Sequence, residues 1–155
     1  MATVNNVTLT ISNGSSSSTK NVTVSGNFVF DAGEIGKSFR QEIKIFGEDK
    51  SGDNLASTDA VGDDELYTFT WGGSLFIKLP YKQLVVNAAG SMAFTETRAI
   101  NTEKLDEDGG KVIVGYADIN TPIYMPRADE VYARVTLSGA PVTARSATVI
   151  AGIGV

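Results

Sequence analysis

Carboxylates are the residues of this chain best placed to do chemistry, and most of them crowd into one stretch. Between Glu48 and Glu65 stand Glu48, Asp49, Asp53, Asp59, Asp63, Asp64 and Glu65 against Lys50 alone, a local charge of −6 that leaves the rest of the chain near +1. Like charges held this close raise each other's energy. A hard divalent cation, ligated by several carboxylate and carbonyl oxygens, would relieve that repulsion, and Ca²⁺ is the cofactor such a flexible oxygen-rich loop suits. A second acidic turn, Leu105-Asp106-Glu107-Asp108-Gly109-Gly110, could share ions with the first if both lay at one end of the fold. The candidate metal ligands are therefore Asp49, Asp53, Asp59, Asp63, Asp64, Asp106 and Asp108. A helix-loop-helix calcium site is rejected on spacing: in Asp49-Lys50-Ser51-Gly52-Asp53-Asn54 the glycine comes early, and Ala60 stands where the closing bidentate Glu belongs. The competing reading is that both loops are solvated surface and bind nothing.

Other chemistries fall away. The chain has no His and no Cys, which removes Ser-His-Asp and Cys-His nucleophilic arrangements, thiolate and imidazole zinc sites, and any disulfide framework. Two carboxylates could still cleave a glycoside, but one must then sit in an apolar pocket that raises its pKa, and these acids lie in Gly-rich loops. The reading is accordingly non-enzymatic. Gly33-Glu34-Ile35-Gly36-Lys37-Ser38 ends like a phosphate-binding loop, yet Asp31 occupies the place of its first Gly and would repel a triphosphate. The triplets Asn6-Val7-Thr8, Asn13-Gly14-Ser15 and Asn21-Val22-Thr23 match the N-glycosylation pattern, which Thr-rich strands also produce by chance. With net charge −5 and no Lys/Arg cluster, a nucleic-acid partner is not expected.

Two apolar features point to partners instead. Tyr67, Phe69 and Trp71 share one strand face and, with Phe28, Phe30, Phe39 and Phe94, read as core; only Trp71, beside Gly72-Gly73, could stack on a ligand. The end of the sequence, Ala147 to Val155, is uncharged, β-prone and almost wholly apolar, so it needs covering. Either it is a strand of the domain's own core, or Val149, Ile150, Ile153 and Val155 form an interface with another subunit.

The elements that must position these residues are strands. Val7, Leu9 and Ile11, then Val22, Val24, Phe28 and Phe30, alternate with period two around the turn Asn13 to Ser18. Phe39, Ile43 and Ile45 repeat the pattern. Leu66 to Trp71, Leu75 to Leu79, Gln83 to Ala88, Met92 to Ile100, Val112 to Tyr116, Val131 to Leu137 and Ala147 onward supply further strands. Pro122 and Pro126 make Asp118 to Asp129 read as an irregular crossing. No segment carries a 3.6-residue apolar stripe or an internal repeat. Nine or ten short strands with turns every 8–12 residues or so predict an all-β fold. The expected architecture is a two-sheet antiparallel β-sandwich, jelly-roll or Ig/C2-like, forming one domain over 1–155.

The leading functional expectation is a structural or interaction module that self-associates into a homo-oligomer, as in a surface layer, appendage or virion. The alternatives are a calcium-dependent binding module for glycans or lipid head groups and, more remotely, a carboxylate-based glycan-active enzyme. No transmembrane segment and no signal peptide are read from the sequence as written, so the expected location is cytoplasmic, or within a particle or at a surface.

Overall fold

The computed structural model describes residues 1–47, 64–72, 77–106, 111–126, 130–139 and 142–151. In chain order the elements are β1 (Thr3–Asn13), β2 (Thr19–Phe30), a 3-10 turn (Ala32–Glu34), β3 (Ser38–Gly47), β4 (Asp64–Thr68), β5 (Lys82–Val85), β6 (Gly90–Asn101), α1 (Thr102–Leu105), β7 (Lys111–Asp118), β8 (Thr121–Pro126), β9 (Glu130–Ser138), β10 (Val142–Arg145) and β11 (Val149–Ile150). The protein is all-β and sandwich-like, with every strand pair antiparallel.

One sheet has the order β1-β2-β6. Its long strands follow from the alternation: Val22, Val24, Phe28 and Phe30 of β2 point inward and are buried, as are Leu9 of β1 and Phe94 and Ile100 of β6. The β1–β2 turn closes tightly, with the Gly14 N–H donating to the Thr19 carbonyl at 3.1 Å. A Cβ on Gly14 would lie 2.4 Å from the Thr19 hydroxyl oxygen, so the turn requires glycine. Where β1 slips register between Asn5 and Thr8, Asn6 takes φ +53°, a left-handed conformation that asparagine tolerates.

The second sheet is organised on β3. One edge of β3 pairs with β9, and the other is shared by two short strands, β4 along Lys44–Gly47 and β5 along Ser38–Gln41. The outer edge of β9 is likewise shared, by β10 and β11. Between them the Ser146 N–H donates to the Ala133 carbonyl at 2.8 Å, and the Ala133 N–H donates to the Ser146 hydroxyl at 2.9 Å. Ala133 thus faces Ser146 and Val131 faces Val149, so the edge strand carries one extra residue and bulges.

Both sheets contribute to one core, in which Phe28 stacks on Phe94 with ring centroids 4.5 Å apart and Ile43, Ile45, Val135 and Leu137 are fully covered. On one flank β1 approaches β9 and β10; on the other α1 lies against β4 and β6 and inserts the buried Leu105. Glu34 is buried too, and its carboxylate accepts the backbone N–H groups of Ala2 and Asp31 (the latter at 2.7 Å), tying the first residues to the 3-10 turn.

Three expectations need correcting. Of the strand expected over Leu75 to Leu79, the described residues Ile77 and Lys78 are not in a strand and Leu79 makes only an isolated bridge to Trp71. Residues 121 to 126 are a strand rather than an irregular crossing, because prolines cost a hairpin edge no ladder hydrogen bond. Thr102–Leu105 forms a helical turn that no periodicity signalled; Asn101 caps it by accepting the Glu103 N–H at 3.0 Å.

Candidate functional site

Among the described residues, strands β7 and β8 pair with each other and with neither sheet. Their turn is built by Asp118, whose carboxylate accepts the Asn120 N–H at 2.9 Å and the Thr121 hydroxyl at 3.1 Å. These two bonds hold the Asp118 carboxyl below the usual aspartate range. The turn therefore presents Ile119 at its apex, 91% exposed, with Tyr116 at 62% and Ile123 at 46% on the flanking strands. A Cβ placed on Gly115 would meet nothing within 4 Å, so the space beside that residue is open. A two-stranded hairpin is marginal in water unless something packs on it, and this one displays apolar side chains to solvent.

A polar seam lies where β6 faces the β4–β5 edge. Met92, Phe94, Glu96, Arg98 and Ile100 share the inward face of β6, so two charges interrupt an apolar row. Glu96 forms ion pairs with Lys82 of β5 at 2.9 Å and with Arg98 at 3.5 Å. Arg98 also donates to the Thr70 carbonyl at 3.1 Å, and its guanidinium lies 5.2 Å from the Phe69 ring centroid and 5.3 Å from that of Trp71. The seam joins the two sheets and neutralises its own carboxylate in place. Beside it, the Trp71 indole N–H and both polar atoms of the Gln41 amide are buried with no hydrogen-bond partner among the described residues.

The outward faces differ in character. On the β1-β2-β6 sheet they are uncharged hydroxyl rows, with Thr8 bonded to Ser25 at 2.7 Å and Thr23 to Thr97 at 2.9 Å. On the β3-centred sheet Phe46 stacks on Tyr132 at 5.6 Å, with Arg134 over the first ring at 4.3 Å and Arg145 over the second at 3.5 Å. These guanidiniums explain how two aromatics on an outward face come to be buried.

Of the residues proposed as metal ligands, Asp49, Asp53, Asp59, Asp63 and Asp108 lie outside the described residues. Asp64 opens β4 and Asp106 follows α1, both exposed. Because α1 packs against β4, Asp64 and Asp106 belong to neighbouring elements. Among the described residues no three carboxylates group closely enough to hold a metal ion. Of the interface candidates, Val149 and Ile150 pair with Val131 and Glu130 of the chain's own β9, while Ile153 and Val155 lie outside the described residues. Tyr67, Phe69 and Trp71 do form one aromatic row, with Tyr67 edge-on to Phe69 at 5.7 Å, and the buried Phe69 belongs to the core.

Sequence reasoning missed the seam and the hairpin tip. The seam was visible as Glu96 and Arg98 at inward positions of an alternating strand. The tip was hidden by Pro122, which argued against a strand. Compared with protein-family models, with curated proteins and with solved structures, the chain matches none.

Proposed function

We propose that this domain is a non-enzymatic assembly module that joins copies of itself through the β7–β8 hairpin. The observation that carries the reading is a hairpin that, among the described residues, pairs with neither sheet and whose Tyr116, Ile119 and Ile123 face solvent. An exposed apolar surface on an element too small to be stable alone marks a place where a partner packs. The non-enzymatic half is supported by Glu96, an inward carboxylate that is ion-paired on both sides instead of lying in the apolar pocket that acid catalysis on a glycan needs.

Sedimentation velocity tests the proposal on the full chain and on Ile119→Asp. Because Ile119 touches little of its own fold, the variant is expected to keep the parent's circular dichroism and cooperative unfolding. The parent should show concentration-dependent association at micromolar levels, and the variant should sediment as a monomer. A parent that stays monomeric at high micromolar concentration, or a variant that associates as the parent does, refutes it.

A further inference from the structure

The surface that receives the hairpin can be sought on the same chain, and one cleft matches it. At the β5–β6 turn a cleft of about 210 Å³ is lined by Phe30, Val85, Met92, Ala88, Ala89 and Gly90, together with neutral neighbours, and among the described residues no charged one lines it. Val85 is 54% exposed at its rim. Ile35, 51% exposed, stands next to it, since the Gly36 N–H donates to the Val86 carbonyl at 2.8 Å and brings the two segments together.

Resting on the assembly reading above, we infer that the hairpin tip of one copy seats in the β5–β6 cleft of a second copy, so that the contact is heterologous. Three observations support the pairing. The first is charge: copies of a chain with net charge −5 repel unless they meet through neutral surfaces. The cleft has no charge, and the tip's one carboxylate, Asp118, is engaged within its own turn. The second is shape. Ile119 stands at the apex of a two-residue turn, narrow enough for a cleft walled by alanines and glycine, and in its own chain it is almost fully exposed and so not seated there. The third is the mode of docking. Pro122 and Pro126 remove two of the six backbone N–H groups of β8, which weakens strand addition along that edge and favours docking by side chains there.

A contact of this kind has consequences for assembly. Tip and cleft lie on different parts of the chain, so every copy offers one of each, and repetition gives a ring or an open filament rather than a two-fold dimer. Three apolar side chains bury far less than the roughly 800 Å² per partner of a standard interface. Each link is therefore expected to be weak and association strongly concentration-dependent.

The test exploits the asymmetry of the contact. Ile119→Asp removes the tip and leaves the cleft; Ala88→Glu, at an exposed position, fills the cleft and leaves the tip. Each variant alone should be monomeric at concentrations where the parent associates. A 1:1 mixture has a single productive tip–cleft pair, so it should yield a dimer and nothing larger. Because the chain has no native cysteine, crosslinking gives a second reading that does not depend on the strength of one link. Ile119→Cys mixed with Ala88→Cys should form the mixed disulfide at least tenfold faster than either forms its own. A mixture that stays monomeric and shows no preferred mixed disulfide, while Ile119→Asp alone has lost association, overturns the cleft as receptor and leaves the hairpin's role standing. Dominant Ile119→Cys self-crosslinking would mean tip-to-tip contact and overturns it as well. A monomeric parent removes both readings.

Discussion

Replacing Gln41 with methionine should make the protein more stable. Gln41 lies on the inward face of β3 between Phe39 and Ile43, opposite Lys82 on one side and Leu137 on the other, and it is fully buried. Neither its amide nitrogen nor its amide oxygen has a hydrogen-bond partner among the described residues. An unsatisfied buried polar group costs about 1–3 kcal/mol relative to its hydrated state. Methionine keeps the unbranched shape and adapts to the same space, so Gln41→Met should recover about 1–3 kcal/mol. For a domain of this size each kcal/mol moves the melting temperature by about 2–4 °C, so Tm should rise by about 2–12 °C. Urea unfolding should show a higher midpoint with an unchanged m-value, since the surface exposed on unfolding stays the same. Gln41→Ala is the control: it also removes the amide but opens a cavity, and large-to-small core changes cost about 2–5 kcal/mol. A methionine variant less stable than the parent would refute the reasoning, because it would mean that the amide is satisfied and contributes to stability.

Two further outcomes follow from the same geometry. Phe28, fully buried and stacked on Phe94 at 4.5 Å, anchors the β1-β2-β6 sheet to the core; Phe28→Ala should cost about 3–5 kcal/mol, and a loss under ~1 kcal/mol in urea unfolding would show that the core closes over the gap. In the hairpin turn, the Asn120 N–H and the Thr121 hydroxyl lower the Asp118 pKa. A carboxyl depressed in the folded state supports that state fully above the unfolded aspartate pKa of about 3.9 and loses its effect as pH falls through the lower native value. NMR shifts of the Asn120 and Thr121 amides should hold steady from about pH 7 to 5 and move only in acid below about 4; titration at or above the unfolded value would contradict the turn geometry.

The strands that build the core were legible because burial on one face imposes period two. Val22, Val24, Phe28 and Phe30 could be placed inward from sequence alone, and so could Phe39, Ile43 and Ile45. What the pattern could not convey was how edges are shared. β4 and β5 serve successive halves of one edge of β3, and β10 and β11 do the same for β9, with the bulge at Ser146 to Thr148 re-aiming the chain between them. These arrangements depend on where a distant strand ends, which alternation does not encode. The Lys82–Glu96–Arg98 seam failed to register for a similar reason. Glu96 and Arg98 fall at inward positions of β6, but that they meet Lys82 and Thr70 depends on how the sandwich sets β6 against the β4–β5 edge.

Apolar runs carry a different lesson about which surfaces are left for partners. The Val149 to Ala151 run has no Lys, Pro or acid to block further pairing, and it is taken up by the chain's own sheet: Val149 and Ile150 pair with β9, and Ala151 is buried. Residues 116 to 126 carry Asp118, Asn120, Pro122 and Pro126 among their apolar side chains, and there the described apolar groups stand in water. β11 pairs with β9 on one side only and is itself an edge strand, so it and the hairpin share the hazard of edge pairing, against which β8 carries prolines. The prolines that weakened the case for a strand at Thr121–Pro126 thus suit its exposure. They weaken backbone pairing along β8 while leaving Tyr116, Ile119 and Ile123 available to a partner that recognises side chains. Specific association of this kind is helped by an apolar tip beside an edge poor at adding strands, and that combination reads in sequence as a poor strand interrupted by turn residues.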